Sequence, residues 1–219
     1  PDAMSDLLGV FSAIFSSENT QKGLSRLGGK EGEVIAAPCV TLVDDPFYPE
    51  NPCAVNFDDE GYPTHKKNII ENGRLNTLLY NLKTAAVAGK ISTGNGSKAG
   101  YTASVNVSPF TMYLAPGQLT EEELAAKAGD GVYIDSVTGL HAGASAVSGD
   151  FSLQSAGFLI KDGKKTDEYV KSFTVAGNFY DLLKNITALS DKVVLPTAFG
   201  STAFASPSVL VEGLSIAGK

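Results

Sequence analysis

The stretch GLHAGASAVSGDFSLQSAGFLIKDG, residues 139 to 163, decides how this chain is read. Small residues surround His141, one of only two histidines, and they leave backbone open to close approach. After Gly143, Ser148 and Asp150, the residues Phe151, Leu153, Phe158, Leu159 and Ile160 supply the apolar anchors of a strand. Asp162-Gly163 then predicts a two-residue hairpin turn, because glycine accepts the positive φ of a primed turn. A strand pair carrying a polar, backbone-rich loop follows.

Other stretches extend the pattern. Met4 to Phe15 is apolar nearly all round and predicts a buried helix, with Ser5 or Asp6 as N-cap. Val34 to Val43 reads as a strand stopped by Asp44-Asp45-Pro46. Asn72-Gly73, between Ile69-Ile70 and Leu75 to Leu82, predicts a second hairpin. Ser92 to Gly100 reads as a flexible loop, either a lid or a plain connection. Strand-like residues occupy 103–115, Thr120 and Glu123 form a capping box, and 132–137 is a further strand. Strand 170–175 leads to Asn178, which caps an amphipathic helix with Phe179, Leu182, Leu183, Ile186 and Leu189 on one face. Ser208 to Ile216 predicts a terminal strand. Many short strands with two or three helices, without strand-helix alternation, indicate an α+β fold of mostly antiparallel or mixed β-sheets.

Composition narrows the function. The 219 residues are 43% hydrophobic, enough for a real core. A net charge of −7, with basic pairs only at Lys66-Lys67 and Lys164-Lys165, argues against nucleic acid as a partner. No run of 18 uncharged apolar residues predicts a membrane span. Cys39 and Cys53 read as free thiols in a reducing cytoplasm. The acidic groups Asp44-Asp45 and Asp58-Asp59-Glu60 lack the alternating spacing of a calcium loop and read as solvated turns. GLSRLGGKEGE, residues 23–33, fails the phosphate-loop pattern at Leu24 and Glu31. The opening Pro-Asp-Ala-Met, without an initiator methionine, reads as a fragment or processed piece.

Several motifs in order resemble the C-terminal region of the TldD/PmbA family, once labelled modulators of DNA gyrase. They are G-L-H-A-G-x-x-x-V-S-G-D-F-S from Gly139, V-A-G-N-F-Y-D-L-L-K-N-I from Val175 and S-P-S-V-L-V-E-G-L-S-I-A-G from Ser206. The D-D-P and F-D-D-E-G pieces at Asp44 and Phe57 match as well. The resemblance implies one domain over 1–219 of the family's C-terminal type, without its N-terminal domain. Catalytic members of that family carry H-E-x-x-x-H on the opening helix. Counted back from Gly23, Ser25, Gly29, Lys30, Gly32 and Glu33, those positions fall on about Leu8, Gly9 and Ala13, which cannot hold a metal or a proton. The third ligand, a cysteine, would fall near Ala198 or Phe199.

The resemblance therefore implies the PmbA/TldE-like branch, with no catalytic residue, metal ligand or cofactor of its own and zinc expected only in a partner subunit. The expected role is the non-metal part of a cytoplasmic peptidase system in proteolysis and peptide maturation. It would work as a dimer with a TldD-type metal-bearing subunit or with itself. An extended peptide would add along Gly-flanked sheet edges, with His141, Gly143, Ser148 and Asp150 as groove candidates. One alternative is a non-proteolytic interaction module acting on gyrase or a toxin-antitoxin protein. Another is a metal-independent hydrolase in which Cys39, His141 and Asp150 converge.

Overall fold

The computed structural model describes residues 1–196 and 202–218. In chain order the elements are α1 (Asp2–Phe11), α2 (Ser17–Gln21), β1 (Leu42–Asp44), β2 (Lys67–Glu71), β3 (Arg74–Leu75), α3 (Leu82–Ala88), β4 (Gly96–Lys98), β5 (Val105–Val107) and β6 (Thr111–Leu114). There follow α4 (Glu121–Ala128), β7 (Gly131–Thr138), α5 (Leu140–Gly143), β8 (Asp150–Lys161), β9 (Lys164–Asn178), α6 (Phe179–Lys184), β10 (Ile186–Leu189), β11 (Ala203–Ala205), β12 (Val209–Val211) and β13 (Ser215–Ala217). A 3-10 turn over Ser12–Phe15 joins α1 to the chain before α2.

Two sheets dominate. One is five-stranded and mixed, in the order β11-β6-β1-β2-β3, with only β11 and β6 parallel. The other is four-stranded and antiparallel, in the order β13-β9-β8-β7. The fold is α+β, as the pattern of elements predicts. The β8–β9 hairpin turns at Asp162-Gly163 with positive φ at both residues, and Asn72-Gly73 does the same between β2 and β3.

α1 lies between the sheets, against β11 and β6 of one and β7 of the other. Its apolar face is the cause: Met4, Leu7, Leu8 and Phe11 are all buried, while Asp2 and Asp6, one turn apart, stay exposed, so the helix is amphipathic rather than apolar all round as its sequence reads. Phe11 stacks on Phe179 of α6 at 4.5 Å and meets Phe151 of β8 edge-on at 6.2 Å. These three rings join helix, hairpin and α6 into one core.

Several sequence expectations are corrected. Six α-helices occur among the described residues rather than two or three, because most are too short to display a 3.6-residue period. α1 begins at Asp2 with Pro1 at its N-cap, and Ser5 is buried inside the helix. Most of 34–43 is irregular, with a single bridge from Val34 to Arg74 and a ladder only from Leu42; Cys39 stands exposed in a turn. The stretch 75–82 ends the hairpin at Leu75 and starts α3 with an Asn81–Thr84 capping box. The helix capped by Asn178 stops at Lys184, and Ile186 to Leu189 pair with β12 instead. Residues 208–216 divide between two sheets as β12 and β13.

Candidate functional site

The end of α1 opens on a cavity of about 270 Å³. Ser12 and Ala13 of the 3-10 turn, with Ser16 just after it, form its floor, Glu18 and Asn19 of α2 and Lys22 at the cap of that helix contribute one side, and Asn106 to Pro109 form the opposite wall. The turn is tied locally. The Ser12 hydroxyl donates to the Gly9 carbonyl at 2.9 Å, and the Asn19 amide donates to the Ala13 carbonyl at 2.9 Å. Glu18 and Lys22 pair with each other at 2.7 Å, so the charged groups lining the cavity cancel. A neutral, hydroxyl-rich hollow suits main-chain amides better than phosphate.

Among the described residues β5 pairs with β4 alone, which leaves its other side without a partner strand. Gly96 turns its own amide to the Asp58 carboxylate at 2.8 Å and its carbonyl to the Asp59 amide at 3.0 Å, away from β5. The facing pair Gly96–Val107 is therefore the non-hydrogen-bonded one, and the N–H and C=O of Val107 point away from β4. Val107 itself lines the cavity. An extended chain can add to such an edge.

The positions that the resemblance equates with the family's His-Glu-His set lie on α1, at Leu8 and Gly9, and in the 3-10 turn after it, at Ala13. Leu8 is fully buried hydrocarbon. A side-chain carbon added at Gly9 would touch the Phe204 ring of β11 at 3.4 Å, so a longer side chain there has to find its way past that ring. Only Ala13 reaches the cavity. These residues do not fit a zinc ion, which needs three or four nitrogen, sulfur or oxygen ligands in tetrahedral reach. Among the described residues no three His, Cys, Asp or Glu side chains are grouped to bind a metal. Ala198 and Phe199, where the family's cysteine would fall, lie outside the described residues.

The four groove candidates lie elsewhere, on α5 and at the start of β8. His141 is exposed on the one-turn α5, and the Gly143 amide donates to the Gly139 carbonyl at 2.8 Å. Asn178 donates to the Asp150 carboxylate at 2.7 Å and to the Ser148 carbonyl at 3.0 Å, while its own oxygen accepts from the Tyr180 amide at 3.1 Å. One side chain thus joins the start of β8 to the cap of α6. The Asn178 amide, the Ser148 hydroxyl and, further off, Arg26 hold the Asp150 carboxyl below the ordinary aspartate range. Cys39 donates to the Ile186 carbonyl at 3.4 Å, so the thiol, His141 and Asp150 each have other surroundings. The structure does not bring them together as a nucleophile, base and orienter.

The acidic turns are a further correction. Asp44, Asp45 and Asp58 are buried rather than solvated, because each finds donors inside the fold. Asp58 accepts from the amides of Glu60 and Tyr62 as well as Gly96. The Ser92 to Gly100 segment is no loose lid either: Ser92, Thr93 and Asn95 are buried and Gly96–Lys98 form β4. Sequence reasoning passed over Lys67, Asn95 and Ser108. The single available signal was Asn95 between two glycines, Gly94 and Gly96, a pattern that allows close backbone approach.

Comparison with known proteins adds three findings. Residues 1–218 match the PmbA/TldA metallopeptidase C-terminal domain. A metalloprotease of Methanothermobacter thermautotrophicus is 33% identical over 180 residues, covering 81% of this chain and 38% of the relative. Among solved structures, TldE from Thermococcus kodakarensis superposes with a TM-score of 0.86 at 30% identity, covering 100% of this chain and 49% of that one. A Thermotoga maritima protein described as a candidate modulator of a DNA gyrase gives 0.89 at 40% identity, covering 98% and 47%. The chain spans less than half the length of each of these relatives.

Proposed function

The chain belongs to the TldD/PmbA metallopeptidase family, and on that premise we propose that it is the metal-free, TldE-like partner in a peptidase pair. The observation that carries this reading is the packing of α1: Leu8 is enclosed in the core and the Phe204 ring faces Gly9. Neither position carries a group that can grip zinc, and an imidazole in place of the enclosed Leu8 side chain would lie among hydrocarbon without a polar partner. In this reading a TldD-type subunit supplies the zinc and the activated water. This chain supplies part of the enclosing cavity and the open edge of β5, where an extended peptide undergoing maturation pairs through main-chain hydrogen bonds. No helix among the described residues is long and apolar enough to cross a membrane, and we place the reaction in the cytoplasm.

The test is metal analysis of the full-length protein, with peptidase assays run on it alone and after mixing with a TldD-type subunit. The expected result is no stoichiometric zinc and no cleavage alone, with cleavage on mixing. Stoichiometric zinc in the isolated protein, or zinc-dependent cleavage without the partner, refutes the proposal. Recovery of gyrase with no TldD-type subunit in a pull-down would favour an interaction module instead.

A further inference from the structure

Behind the wall of the cavity lies a buried polar cluster. Asp44 of β1 is fully enclosed, as is Asn95, and Lys67 at the start of β2 is nearly so. The Asp44 carboxylate accepts from Lys67 Nζ at 3.1 Å, Asn95 Nδ2 at 2.8 Å and the Phe110 amide at 2.7 Å. The Asn95 side-chain oxygen accepts from Lys67 Nζ at 3.1 Å and from the Thr93 hydroxyl at 2.7 Å. Burying an ion pair gains little over apolar packing of the same volume, so stability alone is a poor reason for this cluster.

Its connections supply another reason. Asn95 holds Ser108 from two sides: its Nδ2 donates to the Ser108 carbonyl at 2.9 Å, and its own carbonyl accepts from the Ser108 amide at 3.1 Å. Asp44 holds Phe110 through the amide. Ser108 and Pro109 are cavity wall, and Val107 with its outward main-chain groups immediately precedes them. The cluster therefore grips the wall just behind the open edge and leaves the edge itself free.

We infer that Asp44, Lys67 and Asn95 form a positioning device that fixes the place and register of the Val105–Val107 edge for an incoming extended peptide. The peptide part of this inference rests on the reading proposed above; the mechanical part does not. A strand of three residues, paired on one side only among the described residues, has little rigidity of its own. Three side chains saturated by one another, two of them gripping the wall, provide it.

Two measurements test this. Native-state hydrogen exchange on the unaltered full-length protein should show the amides of Asn95, Ser108 and Phe110 opening together, with one common free energy. Independent openings would overturn the proposal. In Asn95→Asp combined with Asp44→Asn one carboxylate still faces Lys67 and the two side chains still bond to each other, but the donor to the Ser108 carbonyl is lost. Exchange at Ser108 should then accelerate roughly tenfold, the loss of about one hydrogen bond, while the β8–β9 amides stay unchanged. In the reconstituted pair, KM for peptide should rise by a similar factor with kcat held. Uniform loss of protection across the molecule, or no local change, refutes positioning. Should the unaltered protein pair with no peptide, the proposed function fails while the exchange data still decide the mechanical claim.

Discussion

Gly9 on α1 and Phe204 on β11 are packed so that the first side-chain carbon at position 9 would meet the ring at 3.4 Å. Placing the family's metal motif on this helix, as Leu8→His, Gly9→Glu and Ala13→His together, should therefore confer no stoichiometric zinc. Gly9→Glu alone should destabilise the fold by about 1–3 kcal/mol through overpacking. Zinc titration and urea unfolding check both parts.

The Phe11–Phe179 stack is the joint between α1 and α6. Phe179→Ala should cost about 3–5 kcal/mol, because both rings are fully buried and the opened space is enclosed by two sheets and a helix. Phe179→Leu should recover most of that loss. Equilibrium unfolding of the two variants gives the comparison.

Lys67→Met removes one member of a buried ion pair and leaves the Asp44 carboxylate without its counter-charge. A loss of about 3–5 kcal/mol is expected. Adding Asp44→Asn should restore part of it, giving a coupling energy well above zero in a double-mutant cycle. Additive losses would contradict the ion-pair description.

Asp6 lies four residues after Asp2 on α1, and partial burial followed by that like charge pushes its carboxyl above the ordinary value. A raised acid favours the fold below the unfolded pKa of about 3.9 and loses that contribution as pH rises through the folded value. At neutral pH the ionised Asp6 opposes folding. Asp6→Asn should stabilise by about 0.2–0.5 kcal/mol at pH 7 and by nothing near pH 3, since the side chain is exposed. Thermal melts across that range measure the difference.

What could be read from sequence was what neighbouring residues determine among themselves. Asp162-Gly163, the Thr120–Glu123 box and the Asn178 cap each set their geometry within four positions, and all three occur. The burial of α1 was legible through Leu7, Leu8 and Phe11, although Asp2 and Asp6 leave one side of the helix exposed. Asn95 shows the limit. Polar residues flanked by glycine look like solvent-facing loop until Asp44, Lys67 and Tyr80, distant in sequence, supply their partners. The cavity was illegible for the same reason, since its floor and its wall come from segments about ninety positions apart. The helix at 82–88 was hidden by Leu75 to Leu82, an apolar run whose period does not separate strand from helix.

Because α1 is held between two sheets, its residues cannot drift singly. A larger group at position 9 demands a smaller one at 204, and a polar group at position 8 demands a ligand to satisfy it before the core will close. Intermediates carrying one such change without the other are penalised. Descent from a metal-binding ancestor to this chain, or the reverse, is therefore a path on which helix and facing strand are replaced in step, and the pair 9 and 204 should co-vary across relatives.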